Sequence, residues 1–330
     1  MQMNQNARLS VAPMMDWTDR YCRLFHRQFS RHALLYTEMV TAAALVRGGA
    51  EWLLDHDPRE YPLALQLGGS DPGELAAAVR IARDRGFCEI NLNVGCPSDR
   101  VQSGCFGAVL MREPDLVARI VAAMIEAAEG VEITVKCRIG VDEQDPHIVL
   151  PDFLAAIARA GVRRVAIHAR KAWLEGLDPK QNREIPPLDY PLVHAMKDRF
   201  PQLHLSINGG ITSLDAAQAR LAAGLDGVMI GRAAYHQPAD ILGPADRRIF
   251  GDSRPDVTAE DAVRAMLPVI EAERARGTPI HRVTRHMLGA FAGRPGARAW
   301  RRVISDGQHL KTAGPELVEA ALGAMQDRAA

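Results

Sequence analysis

The sequence predicts an α/β fold, a (β/α)8 TIM barrel followed by a small C-terminal helical bundle. Three observations carry this reading. Eight short apolar runs recur over the first 235 residues, helical signals separate them, and no further strand signal follows after about Gly243. The length of 330 residues agrees, since one α/β barrel takes about 250 residues and leaves room for a second unit.

The runs are Leu9–Met14, Leu34–Glu38, Leu63–Leu67, Glu89–Val94, Glu132–Cys137, Arg164–His168, Leu203–Asn208 and Gly227–Ile230. Most are β-branched or leucine-rich and continuous, the pattern of strands buried on both faces of a parallel sheet. Between them, Asp71-Pro72 precedes a helix over Glu74–Arg85 that Gly86 ends, and Glu113-Pro114 opens Asp115–Ala128, ended by Gly130. A helix over Pro151–Ala160 ends at Gly161, and Ser213 caps Leu214–Ala223, ended by Gly224. Proline inside the start and glycine past the end is the expected asymmetry of helices. A count of eight favours a closed barrel over a doubly wound open sheet.

Four helical segments follow, Ala259–Arg276, Ile280–Ala292, Gly296–Ser305 and Glu316–Arg328, with breaks at Gly277-Thr278-Pro279, Gly293-Arg294-Pro295 and Gly314-Pro315. They read as a bundle. The expected division is a catalytic barrel over residues 1–243 and a helical domain over residues 244–330, joined near Arg254-Pro255-Asp256.

Composition excludes several classes. With 47% hydrophobic and 24% charged residues, the chain is not disordered, collagenous or a disulfide scaffold. No run approaches the roughly 18 apolar residues of a membrane span, and the polar start from Met1 to Leu9 lacks a signal-peptide core. Five cysteines (Cys22, Cys88, Cys96, Cys105, Cys137) form no CxxC pair. Reduced thiols, a cytoplasmic location and no membrane are expected. No Cys/His set has zinc spacing, so no metal is expected. A monomer is the expected state. Formal net charge is zero, yet Arg276–Lys311 holds eight Lys/Arg and one acid, Asp306. That block fits either a polyanion surface or a solvated helical face.

Barrel chemistry gathers at the carboxyl ends of strands. Here those ends carry Pro13-Met14-Met15-Asp16, Glu38, Gln66, Asn91-Leu92-Asn93-Val94-Gly95-Cys96-Pro97-Ser98, Lys136 with Arg138, His168-Ala169-Arg170, Asn208-Gly209-Gly210 and Gly231-Arg232. Gln66 alone could serve the backbone, and His168 alone could be a structural histidine. Lys136 is harder to set aside, because unpaired buried lysine is rare. The loops after the last two strands favour a phosphate site over plain tight turns. Their glycines let backbone N–H groups approach an anion at a helix start, and Arg232 adds a fork of donors. No GxGxxG follows the first strand, so a Rossmann site has no support. Cys96 stands above the barrel mouth and reads as either a reactive thiol or a turn residue. Cys105 ranks second on the same loop, while Cys22, Cys88 and Cys137 read as structural.

Taken together, these residues resemble the tRNA-dihydrouridine synthases. The matching pieces are Ala12 to Asp19, Tyr36 to Met39, Gln66-Leu67-Gly68, Asn91 to Ser98, Lys136-Cys137-Arg138, His168-Ala169-Arg170, Asn208 to Ile211 and Ile230-Gly231-Arg232. Met14 to Arg20, His168 to Leu174 and Asn182 to Leu188 are similar to the A-type bacterial branch. The resemblance implies FMN in the barrel mouth, NADPH as reductant and reduction of the C5–C6 bond of D-loop uridines in tRNA at positions 20 and 20a. It implies that Pro13, Met14, Met15, Gln66, Lys136 and His168 surround the flavin and that Asn208, Gly209, Gly210, Gly231 and Arg232 hold its phosphate. Asn93 is then expected at the uracil edge. Reduced flavin gives hydride to C6, and Cys96 gives the proton to C5. A thiol with an ordinary pKa of about 8.5 is mostly protonated at neutral pH and can donate.

RNA contacts are expected from Lys180 and Arg183 in the long loop after strand six, and from Arg298 and Arg301, an i, i+3 pair beside Trp300. Trp300 itself reads as core. One rival is an FMN barrel dehydrogenase acting on a free pyrimidine, which needs no basic tail. The other is a non-catalytic tRNA-binding protein, which the set of Cys96, Lys136 and His168 argues against.

Overall fold

A computed structural model of the chain describes residues 5–98, 104–306 and 313–326. Eight parallel strands close a barrel in sequence order. They are β1 (Leu9–Val11), β2 (Leu34–Thr41), β3 (Leu63–Gly68), β4 (Glu89–Val94), β5 (Glu132–Arg138), β6 (Arg164–His168), β7 (His204–Asn208) and β8 (Gly227–Ile230). Closure rests on β1, where Val11 pairs with Leu35 of β2 and with Ile230 of β8. The open-sheet alternative is excluded.

β1 is shorter than its apolar run. Ala12 still donates to the Ile230 carbonyl at 2.9 Å, but Pro13 has no N–H with which to extend the ladder. β2 is longer than expected, and its register with β3 shifts between Tyr36 and Met39. Such an irregularity re-aims side chains near a barrel rim, and Glu38 sits at it.

The helices start where caps allow. Asp71 accepts from Glu74 N at the head of Pro72–Arg83, and Ser213 from Ala216 N at the head of Leu214–Ala222. The helix after β5 starts earlier than its expected Pro151. Asp145 caps it and Pro146 takes the first turn, so it runs Pro146–Arg159 with Pro151 inside. Arg20–Phe29 and Tyr190–Arg199 are helices that the sequence reading did not mark.

The strands point apolar residues outward and polar residues inward. In β4, Ile90, Leu92 and Val94 join the main apolar core, while Glu89, Asn91 and Asn93 alternate with them, as the period of two requires. The interior holds only a small apolar cluster that includes Leu34, Tyr36, Ala64, Ala166 and Met229. Above it lie the buried Gln66, Asn91, Thr134, His168 and Asn208.

After β8 come Arg232–His236, Pro238–Ile241, Ala245–Phe250, Ala259–Ala265, Leu267–Ala275, His281–Thr284, Ala297–Ile304 and Pro315–Gln326, all helical. No further strand is found among the described residues. The expected helix Ala259–Arg276 divides at Met266, ahead of Pro268. The expected helix Ile280–Ala292 is α-helical only over His281–Thr284. Met287, Ala290 and Ala292 then close turns onto residues three positions back. A Cβ on Gly289 would lie 2.5 Å from the His236 carbonyl oxygen, so this stretch is pressed against the helix that follows β8. Trp300 is fully buried and its indole N–H donates to the Met287 carbonyl at 3.0 Å, with Phe291 edge-on at 4.9 Å. It is core, as its place in the sequence suggests. No helix among the described residues is long and apolar enough to cross a membrane. Lys311 of the basic block and Arg328 of the last predicted helix lie outside the described residues.

Candidate active site

β3, β4 and β5 set side by side the amides and cations that the strand ends predict. Gln66 pairs with Asn91, and Asn93 with Lys136. Asn93 Nδ2 donates to Gln66 Oε1 at 2.9 Å, and Asn93 Oδ1 accepts from Gly95 N and Cys96 N, each at 3.0 Å. The side chain of Asn93 therefore folds the loop that carries Cys96. The Cys96 carbonyl accepts from Ala108 N at 2.9 Å, and the half-buried thiol lies 3.4 Å from Ser98 Oγ. Cys105 is exposed in a left-handed turn at φ 55°. All five cysteines are free.

Two cations on β5 face this loop. Burial lowers Lys136 from 10.5 to about 8, helped by the neighbouring Arg138. Arg138 is itself lowered to about 10 by burial. It donates to the Gly95 carbonyl at 3.1 Å, the Asn182 carbonyl at 2.9 Å and the Lys171 carbonyl at 3.1 Å. Arg138 thus ties the Cys96 loop to the loop after β6. Its place in Lys136-Cys137-Arg138, two residues from Lys136 on the same face of a strand, is the signal that marks it. Lys136, Arg138 and Arg183 all lie near enough to Cys96 for their charges to interact.

His168 pairs across the sheet with Arg138 and Asn208. Burial, then Arg138, Lys136, Arg170 and Arg183, push it well below its ordinary value. The ring is therefore neutral, and its buried Nδ1 has no hydrogen-bond partner.

The two glycine loops meet as the sequence predicts, because β7 and β8 are neighbours with Asn208 opposite Met229. Asn208 Nδ2 donates to the Met229 carbonyl at 2.8 Å. Gly209 and Gly210 have φ of 104° and 70°, values that favour glycine. A Cβ on Gly209 would meet the His168 ring at 3.0 Å, and one on Gly210 would meet Leu188 at 2.5 Å. Tyr190 donates its hydroxyl to the Gly209 carbonyl at 2.7 Å. Arg232 stands at the start of the helix after Gly231, half-exposed, with Nη1 2.5 Å from Glu184 Oε1.

Pro13 and Met14 are half-buried and Met15 is 53% exposed on the loop after β1. Thr18 Oγ1 bonds both the N–H and the carbonyl of Met14, at 2.9 and 3.1 Å. Met14 Sδ would be 3.5 Å from a Cβ on Gly231, so the β1 and β8 loops share one wall. Past them, Trp17 stacks on Tyr235 at 4.6 Å. Asp19 joins this rim to the C-terminal helices through Arg285 at 2.8 Å and His286 at 3.0 Å. Against the upward push of burial, those partners hold Asp19 near 2.

Lys180 and Arg183 are exposed around the short Gln181–Arg183 turn above the mouth. On the helix Ala297–Ile304, Arg298, Arg301 and Arg302 are exposed and form no ion pair among the described residues. Arg298 and Arg301 line one open depression of about 500 Å3 together with Arg294. Arg282 is likewise exposed and forms no ion pair among the described residues, but three others differ. Arg276 is held by Glu273, Arg285 by Asp19 and Arg294 by Asp240.

A solved old yellow enzyme homologue from Zymomonas mobilis has a similar fold, with a TM-score of 0.51 at 12% identity over 77% of this chain and 92% of that one. A Vibrio cholerae protein named tRNA-dihydrouridine(20/20a) synthase is 53% identical over 321 residues, 97% of each chain. The Escherichia coli K12 protein of the same name is 53% identical over 324 residues, 98% of this chain and 93% of its own. The family pattern described as Dihydrouridine synthase (Dus) matches residues 10–326. With its barrel, its thiol loop and a match running through nearly every strand and into the last helix, the chain belongs to the dihydrouridine synthase family.

Proposed function

We propose that this protein reduces the C5–C6 double bond of D-loop uridines in tRNA, at positions 20 and 20a, using FMN and NADPH. The observation that carries this reading is the Cys96 loop. A thiol stands at a barrel mouth, its backbone held by Asn93 and flanked by Lys136 and Arg138, in a chain 53% identical to relatives named for that reaction.

The residues fit a flavin phosphate. Gly209 and Gly210 leave no room for a Cβ against His168 and Leu188, so only glycine fits this turn, whose backbone N–H groups would take the anion. Arg232 is a fork of donors beside them, and the unpartnered Nδ1 of His168 is a buried polar atom in want of a partner. Pro13, Met14, Met15, Gln66, Lys136 and His168 would enclose the ring, and Asn208, Gly209, Gly210, Gly231 and Arg232 the phosphate. When bound, FMN supplies the two-electron reduction.

The chain's own residues do the rest. Cys96 Sγ holds the proton that C5 of the uracil requires. Lys136, with a pKa near 8, is mainly protonated at neutral pH. With Arg138 it stabilises negative charge growing on the pyrimidine. Neutral His168 can donate from one nitrogen and accept at the other. The uridine must leave the tRNA fold to reach this depth, at least cost from a loop.

Residues 1–243 serve as the catalytic barrel and residues 244–330 as the tRNA-binding domain in this reading. Arg298 and Arg301, unpaired among the described residues, share one depression and supply phosphate anchors, as Lys180 and Arg183 do above the mouth. A free pyrimidine would leave such anchors without a role. The protein acts as a cytoplasmic monomer. The test is direct. The protein should purify yellow, release FMN on denaturation and bleach with NADPH. A colourless protein that FMN cannot reconstitute contradicts the proposal.

A further inference from the structure

A line of buried polar side chains crosses the barrel interior from the Cys96 loop towards the opposite end of the strands. Gly95 N and Cys96 N donate to Asn93 Oδ1, Asn93 Nδ2 donates to Gln66 Oε1, and Gln66 Nε2 donates to Asn91 Oδ1 at 2.9 Å. Asn91 Nδ2 donates to Thr134 Oγ1 at 2.7 Å, and the Thr134 hydroxyl donates to Glu89 Oε1. Glu89 also accepts from Tyr36 Oη at 2.6 Å and from Arg164, which bridges to Glu132 at 2.9 Å. Glu89 and Asn91 are wholly buried, and Gln66 and Thr134 are 1% exposed.

Every bond in this line donates in one direction. Its two ends allow no other choice. Backbone N–H groups can only donate, so Asn93 must offer them its oxygen. A carboxylate held by Arg164 and Tyr36 accepts, so Thr134 must give it the hydroxyl proton. Between fixed ends, the amides of Asn93, Gln66 and Asn91 each have one orientation that satisfies both neighbours. A reversal of any one would set oxygen against oxygen or N–H against N–H in a buried site.

We infer that Glu89, Thr134 and Asn91 are positioning residues. They fix which way the Gln66 and Asn93 amides face and, through Asn93, hold the backbone of Cys96. Of the two amides, Gln66 then keeps one N–H to offer beyond the line. The spare Gln66 hydrogen has no partner on the line, and the second Asn93 hydrogen rests on Met39 Sδ at 3.2 Å. A group that takes this Gln66 hydrogen supplies an acceptor, as the carbonyl edge of a flavin or a pyrimidine does. This deepens the proposed function and rests on it for the identity of that group, but the chain's direction can be tested without it.

The test separates the hydroxyl of Thr134 from its methyl. Thr134→Val keeps the shape and removes the link to Glu89. Thr134→Ser keeps the link and removes the methyl. Hydrogen exchange of the peptide over residues 93–98 is followed by mass spectrometry in the purified full-length protein as isolated. Thr134→Val should speed exchange at Gly95 and Cys96 about tenfold, while Thr134→Ser should restore the parent rate. Glu89→Gln gives the terminus a donor and should loosen the same two amides, which carries the test should Thr134→Val not fold. Dihydrouridine formation on tRNA should fall with exchange protection and return with Thr134→Ser. Equal loosening by Val and Ser would assign the effect to packing, and no change in Val or Gln would show that the line fixes nothing. Either result overturns the inference. A parent protein that makes no dihydrouridine would instead sink the proposed function and leave the exchange result readable.

Discussion

Asn93 and Cys96 are joined by a hydrogen bond of 3.0 Å from the Cys96 backbone N–H to the Asn93 side-chain carbonyl. The thiol is thus set by a strand residue through the main chain, and among the described residues its own side chain bonds only Ser98, at 3.4 Å. Removal of the sulfur should leave the loop and the cofactor site standing. Cys96→Ala should retain FMN and accept electrons from NADPH at the parent rate. Dihydrouridine formation on tRNA should drop about 10²–10⁴-fold, the weight of a positioned acid. Cys105→Ala should be far milder. Stopped-flow flavin reduction and product quantification on the same preparations check both halves.

Arg232 and Glu184 form an exposed ion pair, with side chains 39% and 46% accessible. Such a pair adds little stability, so the arginine is available to an anion. Arg232→Ala should weaken FMN binding by about 1.5–3 kcal/mol, the value of one charged hydrogen bond, with little change in the melting temperature of the FMN-free protein. Glu184→Ala should bind FMN at least as tightly as the parent. Titration of FMN into each stripped protein measures this.

Asp19 caps the Arg20–Phe29 helix, accepting from Tyr21 N at 2.9 Å and Cys22 N at 3.0 Å, and also pairs with Arg285 and His286. Asp19→Ala should destabilise the protein by about 1–3 kcal/mol from cap and buried bonds together. Its folded pKa near 2 lies below the ordinary 3.8. Its contribution is therefore present above about pH 4 and is lost as pH falls through 2. The gap between parent and variant in denaturant unfolding should close over that acid window.

Much of the barrel was legible because its strands are continuous apolar runs with glycine and proline between them. Glu89–Val94, Arg164–His168 and Gly227–Ile230 stand as read. The Arg20–Phe29 helix was not legible. Its buried face carries Arg23, His26 and Arg27, and Arg27 is satisfied by the carbonyls of Ser30, Ala33, Glu60 and Pro62. Those partners are set by tertiary folding, which periodicity cannot show. The rim residues were legible one by one at strand ends. What joins them was not, because Arg164 meets Glu89 across 75 positions and Thr134 meets it across 45.

Lys136 gives a pH signature of the same direction as that of Asp19, in the alkaline rather than the acid range. Its folded pKa near 8 is below the ordinary 10.5, so the unfolded chain binds the extra proton between those values. Stability of the FMN-free protein should therefore rise with pH across that window. Lys136→Met should lack this gain, as urea unfolding at a series of pH values will show. In the holoenzyme, loss of the Lys136 proton removes the cation at the mouth, and tRNA turnover should fall as pH rises through that step.

Arg298 and Arg301 line one depression and have no acidic partner among the described residues. Replacing both with glutamate should weaken tRNA binding strongly at low salt and less at high salt, where counterion release contributes less. Single alanine replacements should each lower the salt slope by about one unit. FMN content and reduction by NADPH should not change. Filter binding across a salt series checks this, and unchanged affinity in the double variant would return both arginines to a solvent-facing role.

In the proposed function this barrel reduces tRNA uridines and Cys96 protonates them. The most direct measurement incubates FMN-loaded protein and NADPH with unmodified tRNA and maps dihydrouridine by mass spectrometry of nuclease fragments. Dihydrouridine is expected at positions 20 and 20a with the parent protein, and a product level reduced by orders of magnitude with Cys96→Ala. Product absent from the D-loop with the parent, or undiminished with Cys96→Ala, would contradict it.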